Sequence, residues 1–415
     1  MKVVVAQKGS REHFAIARAL HLRSSLARLV VDWYAPQPGL ARLLLHCLPR
    51  RILQRAMAAQ APGLPPELIQ SLNGFGLWRR IPEAWSRKRR CPYEGDLNSG
   101  RMFARKAASL SLPPHDVFFG YSYESLEVLQ AEKDRGVLTL VDQVDPGEFE
   151  AELVMEEAER WKSYAIGEAK PPAAYFSRNR QEWETADVII VNSQWCKQAL
   201  IAAGAPEHKL EILPLAYEEN IVDPRRPMNH HTGNLQVLWL GTVCLRKGIQ
   251  YLMEAAKLLD SQPIEFLVGG SVRITDSSVR NAPRNVKFLG QIPRSQTHAF
   301  YLAGDVFVLP TVSDGFALTQ LEALAHGLPI VVTPNCGSVV EDGATGFIVP
   351  PRDSKALAQA LLRFVHDRTL TTKMRPRCQE AVQAFSLAQC GARLADLISK
   401  ARNRQDGPPH HLCQV

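Results

Sequence analysis

Two short runs constrain this chain more than anything else in it. Val188–Val191 (VIIV) and Ile330–Val332 (IVV) are apolar at every position. A strand with one face in water alternates apolar and polar residues. A strand that is apolar throughout is buried on both faces and belongs to a parallel sheet covered by helices. The rest of the sequence keeps this rhythm. Apolar runs at Lys2–Ala6, Val30–Trp33, Val117–Phe119, Leu138–Val141 and Leu210–Leu213 alternate with helical patterns near 12–22, 123–135, 148–160, 172–186 and 194–203. At 221–234 (IVDPRRPMNHHTGN) the periodicity stops among Pro, Asn, Gly and His, as in a linker. It then restarts, with strands expected at 237–240, 265–268, 286–289 and 306–309 and helices at 249–259, 296–303, 318–326, 354–366 and about 376–402.

Two successive βα arrays across a linker predict an α/β chain of two doubly wound, Rossmann-like domains facing across a cleft. The expected boundaries are 1–221 for the first domain, with a basic insertion at 36–106, 222–234 for the linker and 235–375 for the second domain. The polar tail 403–415, with Pro408–Pro409, is expected to be disordered. Ligands of such sheets bind outside the carboxyl ends of the strands, so the informative residues are those in the loops that follow strands.

Charge and cysteine usage narrow the classes. Residues 76–106 carry nine basic and three acidic side chains, close to the +7 of the whole chain. Just upstream, 40–55 (LARLLLHCLPRRILQR) interleaves Leu and Ile with arginines. Three readings compete: a solvated Arg-rich face, a basic amphipathic surface lying on anionic lipid with Trp78 and Trp85 at headgroup level, and a nucleic-acid footprint. No RNA-binding or helix-turn-helix signature supports the last, and no nucleic-acid partner is expected. The acidic stretch 145–159, with seven carboxylates and no base, is expected to be a solvated helix without chemistry. The eight cysteines include no CxxC pair, which argues against a zinc site or disulfide framework and suits a reducing cytoplasm. The start, MKVVVAQKGSREHF, is charged too early for a signal peptide, and no apolar run approaches the ~18 residues of a membrane span. The expected location is cytoplasmic, peripheral on the inner face of a membrane if 40–55 and 76–106 bind it.

Three loops carry the chemistry. In SDGFALTQLEALAHG, Asp314 stands in a loop and Glu322 lies inside the helix that follows. Gly315, Phe316, Ala317 and Leu318 open that helix, whose free N–H groups make a natural phosphate site. One carboxylate is placed to face a reacting sugar and the other to accept from a ribose diol; the ordinary alternative is an N-cap Asp and a solvent-facing Glu. In LGTVCLRKG, a strand ends at Gly241, and Arg246 and Lys247 occupy the following loop. Two cations there suit a diphosphate, although an exposed loop pair is the commoner case. In AQKGSREHF, Gly9 and Ser10 follow the first strand and let a phosphate or an acceptor approach the backbone. Tyr121 and Tyr123 are candidates for stacking on a sugar, and Asp142 and Asp145 for the acceptor side. GxGxxG and GxxxxGK[ST] are both absent, which argues against a dehydrogenase and a P-loop kinase. The His230–His231 and His410–His411 pairs lack convergent ligands, and no metal site is expected.

With these residues in view, the block from about 236 to 355 resembles the nucleotide-sugar domain of retaining glycosyltransferase family four (glycosyl transferases group 1, GT-B fold). The matching pieces are LGTVCLRKG, EFLVGG, VKFLGQIP, AGDVFVLPTVSDGFALTQLEALAHGLPIVVT and GATGFIVPPRD. The first half matches more weakly, through VVVAQKGSREHF and ADVIIVNSQWCKQALIAAG, and AFSLAQCGARL resembles the closing helix, 376–402, that crosses back to the first domain. The resemblance implies a retaining, metal-independent hexosyltransferase with no cofactor, whose co-substrate is a nucleotide-diphosphate sugar and whose acceptor is a glycan or a lipid-linked molecule, in cell-surface polysaccharide or glycolipid synthesis. Asp314, Lys247 and Arg246 would be catalytic. Glu322, Gly315, Phe316, Ala317, Leu318, Gly241 and Thr242 would bind the donor, and Gly9, Ser10, Tyr121 and Asp142 would form the acceptor side or phosphate loop. Asp314 takes the family's Glu position, one methylene and about 1.5 Å shorter. Thr242 takes the place of a phosphate-binding Arg, and Tyr121 or Ser122 that of a His. These departures keep a second class open, a catalytically silent GT-B protein that serves as a nucleotide-sugar-binding or scaffold partner.

Overall fold

The computed structural model describes residues 1–35, 60–74, 92–217, 233–337 and 339–406. The segments 40–55 and 76–91, most of the linker and the end of the tail lie outside the described residues, and with them most of the basic surface read from the sequence.

Each all-apolar run is a strand of a parallel sheet with a neighbour on either side. The first sheet has seven strands: β1 (Val3–Gln7), β2 (Leu26–Val31), β3 (Ile69–Ser71), β4 (Val117–Tyr121), β5 (Leu138–Gln143), β6 (Val188–Val191) and β7 (Leu210–Ile212). Their order is β3-β2-β1-β4-β5-β6-β7. The second holds β8 (Leu235–Leu240), β9 (Ile264–Gly269), β10 (Val286–Gly290), β11 (Val306–Leu309), β12 (Ile330–Val332) and β13 (Gly346–Ile348), in the order β10-β9-β8-β11-β12-β13. Every pairing is parallel. In each sheet the order reverses beside the first strand, at β1/β4 and β8/β11, which is where open α/β sheets form a ligand crevice. The two doubly wound sheets face each other as in the GT-B architecture.

Helices α1 (Ala15–Leu22), α2 (Pro92–Ala108), α3 (Leu126–Asp134), α4 (Gly147–Arg160), α5 (Ala173–Thr185) and α6 (Gln194–Ala202) belong to the first half of the chain. In the second half lie α7 (Ile249–Leu258), α8 (Asp276–Arg280), α9 (Arg294–Leu302), α10 (Leu318–Ala325), α11 (Ser354–His366), α12 (Thr369–Val382) and α13 (Leu387–Asp406). The helix expected at 376–402 is two helices. A 3-10 turn at Gln383–Phe385 and the extended Ser386 separate α12 from α13. After that break α13 lays Cys390, Leu394, Ile398 and Ala401 into the first domain's core beside α1. No helix among the described residues is long and apolar enough to cross a membrane.

The acidic helix is the main correction. α4 is not a solvated face: Glu157 is fully buried, and Ala158, Trp161 and Tyr164 pack into the core of the second domain. At the other end of α4, Phe149 meets Trp195 of α6 edge-on. The helix therefore joins both domains.

Candidate functional site

The turn Leu245–Lys247 after β8 and the loop after β11 meet at the carboxyl end of the second sheet. Lys247 Nζ and Arg246 Nη1 each bind one oxygen of Asp314, Arg246 at 3.1 Å. Burial raises the Asp314 pKa, but Lys247 and then Arg246 outweigh it and hold it below the usual value. Asp314 therefore stays ionised. The alternative of an N-cap Asp does not hold, because the cap of α10 is Ala317 and it carries no side-chain hydrogen bond.

A second carboxylate enters from α4. Glu150 Oε2 accepts from Arg246 Nη1 at 3.3 Å and from Ser313 Oγ at 2.8 Å. Burial pushes its pKa up to about 7; Arg246 opposes this, and Asp145 and Asp314 add to it. The two cations thus face two carboxylates, one fixed in charge and one that titrates near neutrality.

Glu322 stands apart from this cluster. Tyr301 donates to its Oε2 at 2.7 Å, and the carboxylate borders a cavity of about 170 Å³ together with Leu318, Arg294, His298, Glu12 and His13. Burial raises its pKa, against the Tyr301 hydrogen bond and Arg294. Beside it His326 donates from Nδ1 to the Glu322 carbonyl at 2.6 Å and meets His298 Nδ1 through Nε2 at 3.0 Å. Burial lowers the His326 pKa to about 4, so the ring is neutral and its Nε2 accepts. Across the cleft Arg294 reaches His13, in a β1–α1 turn whose residues Glu12, His13 and Phe14 all have positive φ.

A larger cavity of about 400 Å³ opens on the other side of Arg246. Thr242, Arg246 and Arg273 line it from the second domain, and Asp145, Glu150, Glu168, Tyr93, Tyr123 and Tyr175 from the first.

Not every expected residue reaches these spaces. Gly315 approaches the first domain closely: a Cβ there would lie 2.8 Å from both Asn192 Nδ2 and the Val144 carbonyl, and Ser193 Oγ donates to its carbonyl at 2.7 Å. Phe316 is buried against Phe385. The Ala317 amide already donates to the Cys336 carbonyl at 3.3 Å, so it is not free for a phosphate. The Gly241 amide donates to Gly269 O in the sheet. The Gly9 amide donates to Asp32 Oδ1 at 2.6 Å, and the Ser10 carbonyl accepts from His13 N. Tyr121 is wholly buried edge-on to Phe119, and Asp142 is 4% exposed, so both lie beneath the cleft surface. Tyr123 and Asp145, in the loops just after the same two strands, border the larger cavity instead.

Residues 234–367 match the family model described as Glycosyl transferases group 1. This segment, about a third of the chain, is thus similar to the glycosyl transferases group 1 family. Two proteins to which the chain is similar are the D-inositol 3-phosphate glycosyltransferase of Corynebacterium glutamicum, 27% identical over 55% of this chain and 61% of that protein, and the capsular polysaccharide biosynthesis glycosyltransferase CapM of Staphylococcus aureus, 28% identical over 44% and 53%. The chain thus spans between about half and three fifths of the length of these relatives. Among solved structures, Anabaena Alr3699/HepE in complex with UDP and glucose superposes with a TM-score of 0.58 at 16% identity, over 96% of this chain and all of that one. Sucrose-phosphate synthase from Thermosynechococcus elongatus gives 0.60, also at 16% identity, over 97% of this chain and all of that one. These two likenesses concern the fold.

Within the matched segment the clustered residues Arg246, Lys247 and Asp314 were readable because they follow strand ends in a recognisable order. Its partners from the first half were not. Glu150 looked like one carboxylate among seven, and Tyr93 and Tyr175 lie on helices with no motif around them. The only available signal was that the acidic run starts at Asp145, directly after a buried strand.

Proposed function

We propose that this chain is a retaining glycosyltransferase. It moves a hexosyl group from a nucleotide-diphosphate sugar to a hydroxyl of a glycan or lipid-linked acceptor in cell-surface polysaccharide or glycolipid synthesis. The observation that carries this is the Arg246–Lys247–Asp314 cluster, at the strand ends of a group 1 domain and facing another α/β sheet. In this reading Lys247 and Arg246 neutralise the diphosphate as the C1–O bond to it breaks. The acceptor oxygen bonds to C1 on the same face, and its proton passes to the departing phosphate oxygen. Asp314 is released from its two cations by the diphosphate and turns to the sugar. Charge stabilisation of this kind contributes about 3–4 kcal/mol per well-placed group. Glu322, steadied by Tyr301, takes the ribose.

A second reading, a silent nucleotide-sugar-binding or scaffold protein, is favoured by the same cluster, since Asp314 and Glu150 already pair both cations. Thermal unfolding against a panel of nucleoside diphosphates and their sugars separates the two, with release of nucleotide from the sugar donors followed in parallel. The expected result is an upward shift with one base, release of that nucleoside diphosphate, and loss of release by roughly two orders of magnitude in Lys247→Ala. A shift without release at any acceptor tried would transfer the assignment to the silent protein. No shift with any nucleotide would remove both.

A further inference from the structure

The first-domain wall of the 400 Å³ cavity includes three tyrosines that the chain brings together from far apart. Tyr123 and Tyr175 are stacked, with centroids 4.2 Å apart and planes at 21°, and Tyr93 meets Tyr175 edge-on at 5.6 Å. Tyr123 has φ 70, a left-handed conformation that a residue with a Cβ avoids. It is held there from both sides. Its amide donates to Glu182 Oε2 at 2.6 Å, and its carbonyl accepts from Arg178 Nε at 3.2 Å. Glu182 is fully buried and also takes the amides of Ser125 and Leu126. The ring is aimed as well: its hydroxyl donates to Asp145 Oδ1 at 2.9 Å, an oxygen that also receives Gln143 Nε2 and the Gly147 amide. Filling a core needs neither a strained backbone nor a fixed carboxylate at the rim of a stacked pair. Strain that the surroundings over-determine is characteristic of ligand sites.

We propose that this cavity is the acceptor subsite and that it takes a neutral hexopyranose ring. The inference rests on the glycosyl-transfer reading and adds to it the class of acceptor residue. A pyranose has an apolar C–H face that suits an aromatic wall and a rim of hydroxyls that suits carboxylates, and the cavity has the size of a small-molecule site. Charge selects against anionic sugars. Asp145, Glu150 and Glu168 line the space against Arg246 and Arg273, and Arg246 is already engaged by Glu150 and Asp314. A uronate or a phosphorylated headgroup would meet more carboxylate than free cation. The position fits transfer, because Arg246 both borders this cavity and binds Asp314.

Saturation-transfer NMR on the full chain tests this without any nucleotide. The probes are the methyl glycosides of glucose, galactose, mannose and N-acetylglucosamine, with methyl glucuronide as the anionic control. At least one neutral glycoside should receive saturation on its ring protons. Tyr175→Phe should keep that signal and Tyr175→Ala should weaken binding at least tenfold. The glucuronide should receive none. The nucleotide-induced thermal shift should be the same in Tyr175→Ala as in the wild type, which also establishes that the variant is folded. If it does not fold, Asp145→Asn replaces it and should weaken the same glycoside several-fold. Absence of neutral glycoside binding, binding that survives both substitutions, or preference for the glucuronide would each overturn the proposal. A wild-type chain that binds the glycoside but neither binds nor cleaves any nucleotide sugar would instead remove the transfer reading and leave the sugar site standing.

Discussion

Glu150 carries a consequence for pH that can be signed at the level of one side chain. Its carboxyl is raised by burial to about 7, well above the ordinary 4.5, against the pull of Arg246 and with Asp145 and Asp314 adding to the rise. A carboxyl raised in the folded chain contributes stability that is complete below its unfolded value and is lost as pH climbs through 7. A diphosphate arriving at Arg246 and Lys247 brings further negative charge, so Glu150 must take up a proton or leave. Nucleoside diphosphate binding should therefore weaken above pH 7, by up to about tenfold per pH unit. Glu150→Gln should flatten this dependence and bind more tightly than the wild type at pH 8.5. Isothermal titration in two buffers of different ionisation enthalpy reads the proton directly: close to one taken up by the wild type at pH 8.5, none by the variant. An unchanged slope in Glu150→Gln would assign the titration to another group. The same residue marks a limit of sequence reading. Arg246, Lys247 and Asp314 were legible because a strand end and a turn fix where they point. Glu150 was not, because nothing in a run of carboxylates distinguishes the one that meets a cation 96 positions away.

At the scale of elements, strands were legible and their partners across the cleft were not. The all-apolar runs announced β6 and β12 because burial on both faces leaves no polar position. β3 and β13 escaped notice since each has only three residues, and β3 carries Gln70 and Ser71 at a sheet edge. α2 escaped because its stripe is thin: Phe103, Ala104 and Ala107 are buried, among Arg101, Arg105 and Lys106. What seats this helix is Gly100, where a Cβ would stand 2.3 Å from the Tyr123 carbonyl. That atom is backbone, so it cannot swing aside. Gly100→Ala should cost about 1–3 kcal/mol by overpacking, seen as a lower Tm. Because the clash falls on the turn that holds Tyr123, the variant should also raise the acceptor KM while leaving nucleotide binding in place. A Tm within a degree of the wild type would mean that α2 packs less tightly here than its backbone contact implies.

For the whole molecule the question is what holds two sheets at one separation, since the proposed sugar transfer depends on keeping water out of the cleft between them. α4 supplies an answer that connectivity alone hides. By chain order it belongs to the first domain, yet its Glu157 is fully buried against the second. Glu157 Oε2 accepts from Gln250 Nε2 and from the Tyr251 hydroxyl, each at 2.8 Å, and Arg352 Nε lies 2.7 Å from Oε1, a distance of ion pairing without hydrogen-bond alignment. Just beyond the helix, the Ser163 carbonyl takes Thr275 Oγ1 and Ser278 Oγ. Among the described residues the chain therefore crosses between the domains at α4 as well as at α13. Any opening of the cleft must carry α4 with the second domain or break this contact. Glu157→Ala takes the buried carboxylate from Gln250 and Tyr251 and the charge from beside Arg352, which keeps Glu156, at about 2–3 kcal/mol. It should lower Tm, speed amide exchange along α4 and α7, and enlarge the radius of gyration in solution scattering. Glu157→Gln keeps an oxygen for the two neutral donors and loses the charge facing Arg352, so it should fall between the two. If Glu157→Ala lowers Tm but leaves both exchange and radius unchanged, the contact stabilises the second domain alone and the domains are held together elsewhere. If all three move together, α4 is the element whose release opens the cleft, and Glu150, near the start of the same helix, is drawn from Arg246 in the same motion.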